Sequence, residues 1–407
     1  MIETTTLDNG LRIVCDQRPG QVVYCGLAVN AGTRDQQPDE PGMAHFIEHM
    51  SFKGTHRRRA WHIINRMEAV GGDLNAYTGK EHTVYYCSTL RQHLSRALDL
   101  LFDITLSSTY PQHEIDREVE VVSDEIESYN DSPAELIYDD FEGLLFQGHP
   151  LGYNILGDAD SLRQYQTSNL QRFVRRLYHP ARMVLFVYGN VTLREVERMA
   201  VRLCKSETGD ESFNIRQAPD SQFTNFNYSL KKDTHQAHVV VGCRTYPMGD
   251  TRYVGLYLLN NILGGPGMNS RLNMALRERR GLVYTVESSL TGYTDTSVWT
   301  AYLGCDHADI ERCRRLVAVE LNRLLDRPLS ESQLTAAKRQ LQGQAALSWE
   351  NGENVAIGMG RRMLHLGQTQ TLEQFCQQIE GLTSQQLWDI ARETFDPARL
   401  ATLVYTQ

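Results

Sequence analysis

Apolar and polar positions along the chain switch between two periods. Runs rich in β-branched and aromatic residues come first, LRIVCD at 11–16 and VVYCGLAVN at 22–30, and Asn9-Gly10 marks a turn between the first strand candidates. A helical period follows at about 41–53 and again at 58–70, where Gly71-Gly72 ends it. TVYYCSTL at 83–90 predicts a strand. Residues 92–108, 112–130 and 133–145 predict helices, and a helix near 168–177 and the strand ARMVLFVYG (181–189) close this half. The pattern then restarts. FTNFNYSL (223–230) and AHVVVGC (237–243) predict strands, 251–263 a helix that Gly264-Gly265-Pro266-Gly267 breaks, and 282–290 and 297–304 further strands. Helices fill much of 308–395 before a last strand at 399–405.

Between the halves lies SETGDESFNIRQAPDSQ (206–222), polar and rich in turn formers. The predicted organisation is therefore a first domain at 1–210, a linker at 211–222 and a second domain at 223–407. Each half has strands at its ends and helices between them. Two related α+β domains follow, each with helices packed against a mainly antiparallel sheet. The repeat lies in the order of elements, because residue identities between the halves are weak.

Composition narrows the picture. At 407 residues and 41% hydrophobic, the chain is long enough and apolar enough for substantial cores. Its formal net charge is -9, and Arg57–Arg59 is the one short basic run. No nucleic-acid partner is expected. The first residues, MIETTTLDNGLRIV, lack the basic and apolar regions of a signal peptide, and no apolar stretch is long enough to span a membrane. The eight cysteines are scattered, with no CxxC. Free thiols in a reducing, cytoplasmic compartment are expected.

The chemistry concentrates in AHFIEHM (44–50). His45 and His49 are four apart, so on a helix both imidazoles share a face and reach one metal ion. Glu48 lies beside them, where a general base needs to be to take a proton from activated water. HxxEH is the reverse of the zinc-peptidase order HExxH. Two histidines leave a catalytic zinc one protein ligand short. The helix 112–130 is crowded with carboxylates, and Glu118 and Glu125, two turns apart, share a face. One can ligate the metal while the other fixes the tautomer of a ligand histidine. The spacing does not choose between them and their neighbours. Against this stands the plain alternative of two satisfied histidines and a solvated acidic helix.

Other stretches are less specific. GGDLNAYTGKEHTVYYCST (71–89) reads as an ordinary hairpin, although a strand beside a metal can bind an extended peptide. His82, in a turn-like segment, is expected at the surface. GGPG at 264–267 lacks a following GKS or GKT, so no nucleotide site is expected. Arg277 suits a carboxylate clamp or a structural ion pair equally well.

Four blocks in order, GMAHFIEHMSFKGT (42–55), AVGGDLNAYTGKEHTVYY (69–86), DREVEVVSDEIESYNDSP (116–133) and GGPGMNSRLNMALRERRGLVYTVES (264–288), resemble the M16 metallopeptidases. This is the pitrilysin and mitochondrial processing peptidase group, and its short bacterial members are the most similar. The resemblance covers nearly the whole chain. It implies two homologous domains closing like a clamshell, a Zn2+ cofactor and a peptide substrate. It implies His45, His49 and Glu125 as metal ligands, with Glu125 76 residues after His49. Glu118 becomes the supporting carboxylate and Glu48 the general base. Arg277 and Tyr284 match the family's R-x6-Y pair, which contacts substrate near the scissile bond. Asn75, Ala76 and Tyr77 lie next to the substrate-binding edge strand. The implied activity is zinc-dependent endopeptidase action on short or unfolded peptides, and the implied assembly is a homodimer or a heterodimer with a related subunit. The alternative, a noncatalytic subunit of a two-chain peptidase, conflicts with the intact ligand set. Gly79-Lys80 and Asn273 depart from the family's usual residues and are expected to alter substrate preference.

Overall fold

A computed structural model describes residues 2–205, 216–220 and 225–407. Of the expected linker, 211–215 and 221–222 lie outside the described residues, as do 223–224 of the strand expected after it. The fold is mixed α+β with two sheets. The first has six strands: β1 Ile2–Thr6, β2 Arg12–Gln17, β3 Val22–Val29, β4 Asp73–Thr78, β5 Thr83–Leu90 and β6 Met183–Gly189. Their order is β1-β2-β6-β3-β5-β4. The second has five: β7 Asn227–Lys231, β8 Ala237–Thr245, β9 Val283–Gly292, β10 Ser297–Cys305 and β11 Ala401–Thr406, in the order β7-β11-β8-β10-β9.

These orders are one topology used twice. Substituting β7 for β2, β11 for β6, β8 for β3, β10 for β5 and β9 for β4 converts the first into the second, with β1 as an extra edge. In each sheet one pair is parallel, β2 with β6 and β7 with β11, and the other pairs are antiparallel. Duplication is thus visible in strand pairing although the residues have diverged.

Strand alternation sends side chains to both faces of each sheet. Along β3 and β6, Val23, Cys25, Leu27, Met183, Leu185 and Val187 enter one core, whereas Ala28, Val184 and Phe186 enter another. The first core takes helices α1 (Met43–Ser51), α2 (Ala60–Glu68), α3 (Leu94–Leu106) and α4 (Gln112–Asn130). The other face is covered by the helix Gly352–Leu366 through Ala356, Met359 and Met363. A Cβ at Gly360 would meet the Phe186 ring at 2.3 Å, so glycine there lets the helix close on the sheet. In the second sheet the covering helix is α5 (Pro133–Leu145), which places Ile137, Phe141 and Leu145 against Val240, Leu403 and Tyr405.

The compact units are accordingly discontinuous. The first takes residues up to Ser128, then Tyr153–Gln217 and Leu347–Thr371. The second takes Tyr129–Gly152, Ala218–Ala346 and Leu372–Gln407. A helix from each half of the sequence completes the sheet of the other. A division along the chain at 1–210, 211–222 and 223–407 does not contain this exchange, because an apolar helix face does not specify which sheet covers it. Among the described residues no helix is long and apolar enough to cross a membrane. None of the eight cysteines forms a disulfide.

Candidate metal centre

Helix α1 starts at Gly42, whose φ of 73° is left-handed; a Cβ there would also meet the Leu156 carbonyl oxygen at 2.5 Å. Met43, Ala44, Phe46, Ile47 and Met50 are buried along the helix. That packing fixes its rotation and turns His45 and His49 toward α4 and Glu48 toward the end of β4. The two imidazole centroids are 4.6 Å apart.

Helix α4 supplies the carboxylates. Glu125 Oε1 lies 3.7 Å from His45 Nε2, and its Oε2 lies 3.5 Å from His49 Nε2. One ligand atom from each of these three residues falls within 4.8 Å of the others, a grouping able to hold a metal ion. Ligands about 2.1 Å from a tetrahedral zinc stand roughly 3.4 Å apart, so the donor set fits zinc with little rearrangement. Glu118 faces the other nitrogen: its Oε1 is 3.0 Å from His49 Nδ1, and its Oε2 pairs with Lys53. Glu48 accepts a hydrogen bond from Thr78 Oγ1 at 2.5 Å.

The charges suit metal binding. Burial, with His49 nearby, pushes the His45 imidazole down to about 3, so its ring is neutral and has a lone pair to give. For His49 burial works in the same direction. The hydrogen bond to Glu118 and the charges of Glu125 and Glu48 outweigh it and raise the group in the metal-free protein. Burial alone would raise Glu118, yet its bonds to His49 and Lys53 bring it below the usual carboxylate range. Glu48 is raised, chiefly by burial and further by Glu125, against the opposing effects of Thr78 and His49. A raised carboxyl is a better proton acceptor near neutral pH.

The remaining candidates lie elsewhere. Asn75, Ala76 and Tyr77 are on β4, an edge strand of the first sheet. Asn75 is exposed and donates to Asp73, and Ala76 packs partly on the core. Arg277 is an exposed residue of the π-helical segment Asn273–Glu278 in the second unit. Tyr284, on β9 of the same unit, is 54% exposed and donates to Asp306 Oδ1 at 3.2 Å. His82 departs from the surface position expected of it. It is buried, with its Nδ1 3.0 Å from His365 Nε2, a contact made across 283 residues of sequence. Lys53 and Thr78 join the site through Glu118 and Glu48, and the local hydrophobic pattern does not single them out. Lys53 follows His49 by four residues, and that spacing was a usable signal. Thr78 had none, since it meets Glu48 through the contact of β4 with α1, 30 residues away in sequence.

A duplicated α+β fold with an inverted HxxEH helix facing a glutamate defines a class of metal-dependent peptidases, and comparison with known proteins gives the family. Residues 12–159 match the family described as insulinase (peptidase family M16), and residues 166–341 match the peptidase M16 inactive domain. The chain belongs to peptidase family M16. It is 31% identical over 396 residues to a Bacillus subtilis protein named uncharacterized zinc protease YmxG, covering 97% of this chain and 96% of that one. It is 34% identical to an uncharacterized zinc protease of Mycobacterium leprae, covering 96% and 88%. Among solved structures, a protease from Helicobacter pylori superposes with a TM-score of 0.94 at 22% identity, covering 100% of this chain and 99% of that one. A peptidase M16 inactive domain from Pseudomonas fluorescens gives 0.92 at 20%, covering 100% and 97%. At these identities the two structures speak for the fold.

Proposed function

We propose that this chain is a zinc-dependent endopeptidase that hydrolyses short or unfolded peptides. The observation that carries the proposal is the convergence of His45, His49 and Glu125, with one ligand atom of each within 4.8 Å of the others. Zinc held by these three side chains supplies Lewis acidity toward the scissile carbonyl and toward water. The protein's own residues do the rest. Glu118 accepts from His49 Nδ1 and so presents Nε2 as the ligand atom. Glu48 takes the proton of the attacking water as the new C–O bond forms, then passes it to the amine nitrogen as the C–N bond breaks. No acyl-enzyme is required.

The free edge of β4 offers backbone donors and acceptors to an extended peptide, alongside Asn75, Ala76 and Tyr77. An extended strand partner is available from a short or unfolded chain but not from the interior of a folded protein. Arg277 and Tyr284 are assigned to the substrate by their match to the family's R-x6-Y pair, and both side chains are exposed and available. Pairing with a second copy or a related subunit is part of this reading.

The test is cleavage of a quenched mixed-peptide library by the purified chain, with Glu48→Gln as control. Cleavage should be lost on chelation, restored by zinc and absent in the variant. A wild-type chain that binds one zinc yet cleaves no peptide would overturn self-sufficient catalysis, and equal cleavage of folded proteins and their derived peptides would overturn the substrate class.

A further inference from the structure

We propose that Thr78 is a positioning residue for the general base: its hydroxyl holds one oxygen of the Glu48 carboxylate and leaves the other to take the proton. The inference rests on the reading of Glu48 as base and adds a residue to that machinery.

The geometry is specific. Thr78 Oγ1 lies 2.5 Å from Glu48 Oε2. A hydroxyl has one proton to donate, and the nearby alternative acceptor, Thr83 Oγ1, is farther at 3.4 Å and uncharged. Thr83 in turn donates to the Ala31 carbonyl at 2.9 Å. The proton of Thr78 therefore goes to the carboxylate. Torsion about the last bond of a glutamate side chain is soft. A carboxylate without that anchor can rotate, presenting either oxygen or turning toward the neighbouring metal ligands.

The setting of Thr78 supports the role. It is the last residue of β4 and pairs with Thr83, the first of β5. The turn between them is tied down by groups distant in sequence. Thr33 donates its backbone N–H to the Gly79 carbonyl at 3.3 Å, and Arg34 donates its own to the Lys80 carbonyl at 2.8 Å. The buried Glu81 carboxylate pairs with Arg34 at 2.6 Å, and Arg216 Nη2 donates to the Glu81 carbonyl at 2.6 Å. His82 meets His365 at 3.0 Å. Burying this much polarity in a short turn carries a desolvation cost that an apolar turn avoids, so stability alone is a poor account of it. What the arrangement secures is the place of the strand end, and with it the hydroxyl that anchors Glu48.

The experiment compares wild type, Thr78→Val, Thr78→Ser and Glu48→Gln in the zinc-loaded protein. Bound zinc, the melting transition, kcat and KM are measured on one cleaved peptide. Thr78→Val keeps the shape and removes the donor. It should lower kcat about 10- to 100-fold, the range set by a hydrogen bond to a charged group. KM, zinc content and melting should stay near wild type, and Thr78→Ser, which restores the hydroxyl, should recover most of the loss. Unchanged kcat in Thr78→Val, an equal loss in Thr78→Ser, or loss of zinc in Thr78→Val would each overturn the role of Thr78 while leaving the peptidase reading in place. A wild type with no zinc-dependent cleavage would overturn both.

Discussion

The two units are built alike and equipped differently. In the first, helix α1, between β3 and β4, packs Met43, Phe46, Ile47 and Met50 into the core and sets His45 and His49 beside Glu125, with Glu48 beside Thr78. In the second, the helix Tyr253–Gly264, between β8 and β9, also buries most of its residues, but the polar side chains it buries are Asn260 and Asn261. Asn260 serves the fold: its Oδ1 accepts from the indole of the fully buried Trp299 at 3.0 Å, and its carbonyl accepts from Ser288. Among the described residues, His45, His49 and Glu125 are the one grouping able to hold a metal. The duplicated scaffold thus supplies a rigid helix against a sheet. Whether that helix does chemistry depends on a few side chains on the face the core leaves free.

The sharpest way to break this contrast is to remove one donor. Glu125→Gln keeps size and helix propensity but takes away the anionic ligand. Zinc affinity should fall by more than the roughly 100-fold that loss of an outer-shell partner costs, and cleavage should go with it. The melting of the metal-free protein should change little, since the Glu125 side chain is 44% exposed. Stoichiometric zinc retained in the variant would mean that another group completes the site.

The second difference concerns the exchanged helices. Phe141 comes from the first half of the sequence but is buried in the core of the second sheet; Met359 makes the reciprocal contribution to the first. Phe141→Ala should cost about 3–5 kcal/mol, and Met359→Ala, at a position 7% exposed, about 2 kcal/mol. Hydrogen exchange locates the damage. It should appear in β8 and β11 for Phe141→Ala, and in β3 and β6 for Met359→Ala. Weakening of β3 and β6 by Phe141→Ala would refute the assignment of α5 to the second unit.

These helices also show where sequence reading reaches its limit. Their existence was legible: the predicted helix at 133–145 coincides with α5, and Gly352–Leu366 falls within the helices expected over much of 308–395. Periodicity and local stop signals are properties of neighbouring residues, and they carried those elements and the HxxEH face. The sheet that α5 covers was not legible, because Ile137, Phe141 and Leu145 would serve any apolar surface. The helix Leu193–Leu203 does not stand out in the hydrophobic pattern despite its capping box, in which Thr192 and Glu195 bond reciprocally. Its charged exterior hides the two buried positions, Val196 and Ala200. His82 failed for the same reason as α5, since the residue that shares its burial, His365, lies far along the chain.

The smallest expected difference between the units is their response to acid, and it follows from buried imidazoles. In the first unit, burial lowers His45 to about 3, with His49 adding to the effect, and lowers His365 to about 3, with Arg216 and Arg361 adding to it. His82 is also lowered, by burial and then by Arg361 and His365. In the second unit His238 is lowered, by burial and His307. A histidine whose folded pKa is depressed stabilises the fold above its unfolded value, near 6.5, and that contribution is lost as pH falls toward the folded value. At pH 5.5 the loss is about 1 kcal/mol each for His45 and His365. His49, raised in the metal-free protein, acts in the opposite direction and offsets part of it. The balance still weighs against the first unit. Moving metal-free protein from pH 7.5 to 5.5 should therefore speed hydrogen exchange in β3 and β5 before β8 and β10. Replacing His365 with glutamine removes one proton acceptor from the unfolded first unit, so it should narrow that gap even if it lowers stability at pH 7.5. Equal acid sensitivity of the two sheets in the wild type would show that the buried imidazoles of the first unit find compensation on protonation.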